Sequence, residues 1–196
     1  RIYRGGNTAN TLVVLSQLGH RCQWAGTLAD EPDVRPILDD FKRHHIGTDA
    51  ASIAPQGKVP TSYITLNRRT GSRTIVHYRN LPEYEFDDFR RINLDVLDWV
   101  HFEGRNPDAV KRMLERVQTE HPPMRCSLEV EKPRPGIETL FGKVDLLLFS
   151  RLYAESRGAD SPESFLDSIR AEAPKSNLVC AWGEQGAYGL TRKGTR

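Results

Sequence analysis

Trp99-Val100-His101-Phe102-Glu103-Gly104-Arg105-Asn106-Pro107 decides how this chain folds, because it reads as a short apolar strand running into the mouth of a helix. Residues 99–102 supply the strand, Gly104 permits a tight turn, and Asn106 is a helix cap. Pro107 then occupies the first helical position, where a missing N–H is no loss. Val110, Met113, Leu114 and Val117 follow at helical spacing and predict a buried stripe.

The same alternation extends in both directions. Residues 125–130, 144–149 and 178–182 are short apolar runs, each followed by turn chemistry, and Ser161-Pro162 opens another helix. Toward the start, Val34, Ile37, Leu38 and Phe41 fit one helical face, with Gly47 as a stop. Leu12, Leu15 and Leu18 predict an earlier helix ended by Gly19, with residues 21–28 continuing as a strand. Residues 61–67 and 73–78 are rich in β-branched and aromatic side chains around Arg68-Arg69-Thr70-Gly71-Ser72, the pattern of an antiparallel hairpin with a five-residue loop. Strands alternating with helices predict an α/β layered fold with a mainly parallel sheet. Its ligands are expected beyond the C-terminal ends of the strands.

Composition narrows the partners. With 196 residues and 38% hydrophobic content the chain can bury one sizeable core, and its length favours a single domain. Lys plus Arg is 28 against 26 for Asp plus Glu, a net charge of +2 that does not call for nucleic acid. Lys42-Arg43 and Arg68-Arg69 have no aromatic residues interleaved and read as solubilising charge. Cys22, Cys126 and Cys180 are odd in number and widely spaced, as expected of reduced, buried thiols in an intracellular protein. No apolar run approaches the roughly 18 residues of a membrane helix, and no secretory pattern is visible. The expectation is a soluble, cytoplasmic protein. Because the sequence begins with Arg, it is read as trimmed or incomplete at its front edge.

Three loops stand where binding chemistry is expected. In Arg4-Gly5-Gly6-Asn7-Thr8-Ala9-Asn10, two glycines allow close backbone approach and Asn7 is read as the helix cap. Asn10 lies one turn on; two amides, each donor and acceptor, suit vicinal hydroxyls. In Glu103-Gly104-Arg105-Asn106 the Arg105 guanidinium can fork onto phosphate oxygens, or alternatively pair with Glu103 or Glu129. Gly183-Glu184-Gln185-Gly186-Ala187 leaves room for a flat ligand, but taken by itself reads more readily as a plain hairpin turn into residues 188–191. None of the six histidines is assigned to catalysis; His44-His45 closes a helix and His101 belongs to a buried strand.

Taken in order, these loops together with Ser127-Leu128-Glu129-Val130-Glu131-Lys132-Pro133-Arg134 resemble the ketohexokinase, or fructokinase, branch of the ribokinase-like sugar kinases. The likeness spans nearly the whole chain. The double-glycine entry is shared across that superfamily, whereas the Glu-Gly-Arg-Asn and Glu-Val-Glu-Lys-Pro-Arg runs are particular to the branch. The resemblance implies a three-layer Rossmann-like arrangement and ATP-dependent phosphorylation of a furanose-form sugar, with the fructose 1-hydroxyl as leading acceptor. It implies that Gly6, Asn7 and Asn10 hold sugar hydroxyls and that Arg105 meets the transferring or β-phosphate. Gly183, Glu184, Gln185 and Gly186 would line the nucleotide site. ATP and Mg2+ are the implied cofactors, with K+ a further candidate; Glu129 and Glu131 are candidates to orient Mg2+ through water, or alternatively mark a solvated strand end or pair with Lys132 or Arg134. A homodimer is also implied, with the hairpin as a suitable intersubunit surface because a two-stranded unit is weakly stable unless packed.

Relatives of this kind begin with a strand carrying a sugar-gripping aspartate and close with Gly-Ala-Gly-Asp, whose aspartate is the base and whose glycines form the anion hole. Neither segment occurs in these 196 residues, nor does the Asn-x-x-Glu run, whose place reads Ser150-Arg151-Leu152-Tyr153. The chain is therefore read as an incomplete ribokinase-like domain over residues 1–196, inactive by itself, from an active parent. Other ribokinase-like kinases for ribose, adenosine or an aminosugar share the first loop, and a catalytically inert sugar or nucleotide sensor is the reading outside the enzymes. A dinucleotide dehydrogenase would require Gly-x-Gly-x-x-Gly opening a helix, and a P-loop hydrolase its own glycine-lysine motif; both are missing.

Overall fold

Gly6, at φ 102, launches the first helix of the computed structural model, in which residues 3–195 are described. The chain divides into two compact units, Arg1–Tyr84 and Glu85–Arg196.

The first unit contains helix α1 (Asn7–Gln17), strands β1 (Cys22–Gln23) and β2 (Thr27–Ala29), helix α2 (Arg35–Arg43), then β3 (Ile46–Gly47), β4 (Ser52–Ala54), β5 (Lys58–Leu66) and β6 (Arg73–Asn80). Strand β1 pairs with β3 and β2 with β4, both in parallel, while β5 and β6 form the expected antiparallel hairpin with Tyr63 opposite Val76. Two small cores result. Ala9, Phe41 and Ile46 pack with Leu12, Val13 and Ile37; Leu28, Ala29 and Val34 pack with Val59 and Leu81. Trp24 touches both cores.

Three local expectations change here. The inner face of α1 is Ala9, Leu12 and Val13, not a Leu12-Leu15-Leu18 stripe; Leu18 follows the helix and is 70% exposed. Residues 21–28 do not run as one strand. The chain bends between β1 and β2, where a Cβ on Gly26 would fall 2.3 Å from the Trp24 ring. Helix α2 ends at Arg43, with His45 at φ 53 reversing the chain, so Gly47 is a strand residue instead of a helix stop.

The second unit contains α3 (Phe86–Phe89), β7 (Trp99–Glu103), α4 (Pro107–Glu120), β8 (Arg125–Val130), β9 (Leu146–Ser150), α5 (Arg151–Ser156), α6 (Pro162–Ile169), β10 (Asn177–Ala181) and β11 (Ala187–Leu190). Its sheet runs β11-β10-β9-β8-β7, parallel throughout except for the β10–β11 hairpin. Helix α4 starts as its sequence dictates: Asn106 Oδ1 accepts from the Ala109 N–H at 3.3 Å, and Val110, Met113, Leu114 and Val117 are buried. Ser161 caps α6 in the same way.

Strand β9 begins two residues later than the apolar run at 144–149. Val144 and Asp145 are used as anchors: Asp145 Oδ2 accepts from the Cys126 N–H at 2.9 Å, and the buried Ser176 hydroxyl donates to the Val144 carbonyl at 2.6 Å. Behind the sheet Phe149 meets Phe165 edge-on at 4.9 Å and Phe141 at 5.4 Å, and stacks on Tyr153 at 5.7 Å. Such pairs contribute about 0.5–1.5 kcal/mol each beyond the area they bury, which makes this cluster a rigid base for the loops above it.

Candidate functional site

Because β7, β8, β9 and β10 are parallel and in register, their C-terminal residues line one edge of the sheet: Glu103 lies opposite Glu129, Val130 opposite Phe149, and Ser150 opposite Ala181. The turn at residues 103–106 and the loop at 182–186 therefore leave from the same edge. Three strand steps separate them, roughly 14 Å across the sheet.

At the first turn the Gly104 N–H donates to the Glu129 carbonyl at 2.9 Å. A Cβ on Gly104 would sit 2.5 Å from Ile137 Cδ1 and 2.9 Å from the Glu129 oxygen, so no larger residue fits without a shift. Asn106 uses both ends of its amide, capping α4 and donating to Glu85 Oε1 at 3.0 Å. Arg105 is thus held half-buried between a glycine with no spare room and a capped helix.

At the other loop the Trp182 N–H donates to the Gly186 carbonyl at 2.7 Å around a short 3₁₀ turn, Gly183–Gln185. Gly183 and Gly186 have φ 64 and 94, which side chains resist, and a Cβ on either meets nothing within 4 Å. The loop is at once a hairpin turn into β11 and an open shelf with Glu184 and Gln185 exposed. Trp182 itself is buried, with the Arg151 guanidinium 5.1 Å from its ring, and Arg151 Nε donates to Glu155 at 2.7 Å. This cation–π contact escaped sequence reasoning. Its only trace there is that both residues immediately follow strands.

In the first unit Gly6, not Asn7, is the N-cap of α1, and a glycine there makes no side-chain cap hydrogen bond. The glycine's positive φ makes the turn that an Asn cap was expected to make, which leaves Asn7 as the first helical residue. Asn7 and Asn10 are both exposed and three residues apart, hence on one face. Asn10 Oδ1 accepts from Arg4 Nη1 at 3.1 Å, and Arg4 Nε donates to Asp40 Oδ2 at 2.6 Å. In the sequence Arg4 is only a neighbour of the glycines, because Asp40 lies 36 residues away.

The glutamates that are candidates to orient Mg2+ through water each stand beside a basic side chain. Glu131 is 3.9 Å from Lys132 Nζ, Glu129 is 3.9 Å from His101 Nε2, and among the described residues no three His, Cys, Asp or Glu side chains are grouped to hold a metal. His101 is tied through Nδ1 to the Ser127 hydroxyl at 2.8 Å, which also accepts from Trp99 Nε1 at 2.8 Å.

Compared with known proteins, residues 1–196 match the family described as pfkB family carbohydrate kinase. The chain belongs to that family. Within it, the chain is 34% identical over 198 residues to ketohexokinase of Mus musculus, covering 97% of this chain and 66% of the mouse protein. Two solved structures of pfkB-like shape also match. The 2-dehydro-3-deoxygluconokinase of Thermotoga maritima superposes with a TM-score of 0.77 at 16% identity, covering 92% of this chain and 63% of its own. The fructokinase of Vibrio cholerae O395, in its fructose, ADP and calcium ion bound form, superposes with a TM-score of 0.69 at 17% identity, covering 95% and 65%. At those identities the likeness speaks to the fold, which is the ribokinase-like α/β fold of pfkB kinases. The chain spans just under two thirds of the length of each relative. Among the described residues no helix is long and apolar enough to cross a membrane.

Proposed function

We propose that the full-length protein phosphorylates a ketohexose, fructose on its 1-hydroxyl, with ATP as donor. The observation that carries this reading is the 34% identity to mouse ketohexokinase across 97% of the chain, within which the Glu103-Gly104-Arg105-Asn106 turn sits at the C-terminal edge of the sheet. In this account the two units are parts of one ribokinase-like domain, of which these residues are an incomplete portion. Asn7, Asn10 and the Gly6 backbone hold sugar hydroxyls, since amides supply both donors and acceptors. Arg105 neutralises charge on the transferring phosphoryl group, and Gly183 to Gly186 form a shelf for the nucleotide. Catalysis of this kind rests on alignment and charge neutralisation more than on covalent chemistry by the protein. Mg2+ would arrive with ATP, as no step here requires a site for it within these residues.

The 196 residues contain no Gly-Ala-Gly-Asp segment, to which the resemblance assigns the base and the anion hole. Loss of a positioned base alone lowers rates about a hundredfold to ten-thousandfold, so these residues by themselves are expected to be inert. Exposure of Tyr63, Ile64, Leu66, Ile75, Val76 and Tyr78, each more than 50% accessible on the hairpin, supports homodimerisation through β5 and β6.

The test is a substrate panel of fructose, ribose, adenosine and an aminosugar, with ATP and coupled ADP detection on the full-length protein. Fructose is expected to give the highest kcat/KM. Preference for another acceptor refutes the ketohexose assignment, and sugar binding without any turnover would make the protein a sensor.

A further inference from the structure

Asp40, Arg4 and Asn10 form a continuous chain of hydrogen bonds that ends at the exposed face of α1. Arg4 Nε donates to Asp40 Oδ2 at 2.6 Å, and Arg4 Nη1 donates to Asn10 Oδ1 at 3.1 Å and to the Gly5 carbonyl at 3.3 Å. Asp40 is fixed in turn by Arg43 Nη1 at 3.0 Å on its other oxygen, with His44 Nε2 3.9 Å away. The Arg4 guanidinium carbon lies 5.6 Å from the Phe41 ring centroid, and its side chain is only 9% exposed although Asn10 is open to solvent. A nearly buried arginine is therefore spent on orienting an exposed amide and the Gly5-Gly6 turn beside it.

An arginine has five N–H donors and no acceptor, so the atom of Asn10 facing it is the oxygen, and the NH2 group faces away. Left alone, an asparagine can turn either end to a ligand. Here it cannot turn without breaking the bond to Arg4. We infer that Arg4, held by Asp40, is a positioning residue that makes Asn10 a one-way hydrogen-bond donor, selecting a ligand group that accepts at that point. A sugar hydroxyl oxygen meets this demand; an ammonium group does not, which sets hydroxyl sugars above aminosugars at this contact. The inference rests on the reading of Asn10 as a sugar contact. Ionisation of Asp40 agrees with it, since the Arg4 hydrogen bond holds that carboxyl below its usual range.

A double-mutant cycle in the full-length protein tests it, with D-fructose as the probe. Arg4→Met should raise the fructose KM about tenfold, with kcat and the ATP KM within about twofold of the parent. In an Asn10→Ala background the same change should move the fructose KM by less than about twofold, because the group that Arg4 orients is already gone. Arg4→Lys, which keeps the charge but not the fork, should fall between. Equal effects of Arg4→Met in both backgrounds, or none in either, overturn the inference. The Asn10 side-chain amide signal in nitrogen-15 spectra gives a readout independent of turnover: Arg4→Met and Asp40→Asn should both shift it, and an unmoved signal overturns the relay. A shifted signal with a fructose KM unaffected by Asn10→Ala would keep the relay and refute the sugar contact instead.

Discussion

Gly104 and Ile137 are packed so closely that a Cβ on the glycine would stand 2.5 Å from the isoleucine Cδ1. The carbonyl of Glu129 closes the other side at 2.9 Å. Gly104→Ala should therefore destabilise the fold by about 1–3 kcal/mol, the usual cost of overpacking, and displace the turn that carries Arg105. Urea denaturation measures the first effect. A stability equal to the parent's would mean that Ile137 yields freely and that the turn is not held as described.

Arg105→Ala in the full-length protein should lower kcat/KM for ATP about tenfold to a hundredfold while changing the sugar KM less than about threefold. Steady-state kinetics with each substrate varied in turn separate the two. Unchanged ATP kinetics would remove Arg105 from the phosphate role.

The second unit was largely legible in sequence, and the reason is local. Asn106, Pro107 and the stripe from Val110 to Val117 specify where α4 starts and which side it buries without reference to anything distant. Strands β7, β8 and β10 are bounded by turn residues and fell within a residue or two of their expected limits. Helix α1 was harder, because Leu12, Val13, Val14 and Leu15 make it apolar on several sides. The choice of inner face was made by Phe41 and Ile46, which approach Ala9, Leu12 and Val13 from elsewhere in the chain. The same holds for the candidate site. Positions of Gly6, Asn10, Arg105 and the Gly183 loop follow from local turn chemistry, whereas the Arg4–Asp40 and Arg151–Trp182 contacts join residues 36 and 31 positions apart and leave no periodic trace.

The three cysteines give a prediction about pH. Burial, with the nearby Asp145 carboxylate, pushes the Cys126 thiol from its ordinary 9.0 up to about 12, and burial pushes Cys180 up to about 11. Below pH 9 both thiols keep their protons whether the chain is folded or not, and their contribution is full. As pH climbs toward 11 the unfolded chain releases protons that the folded one retains, so stability falls. Denaturation at pH 8 and pH 10 should show a larger loss for the parent than for Cys126→Ala/Cys180→Ala. Native labelling with a thiol reagent near neutral pH should reach the half-buried Cys22 well before the other two. Equal labelling of all three would contradict the buried placement.

Phosphorus–proton correlation spectroscopy on the products of full-length protein, ATP and fructose tests the central claim most directly. The carbon next to C1 in fructose bears no hydrogen, so a phosphate on O1 couples to an isolated methylene pair. One new phosphomonoester signal with that signature is the predicted result. A methylene coupled onward to a neighbouring proton, or no transfer from ATP at all, would contradict the account.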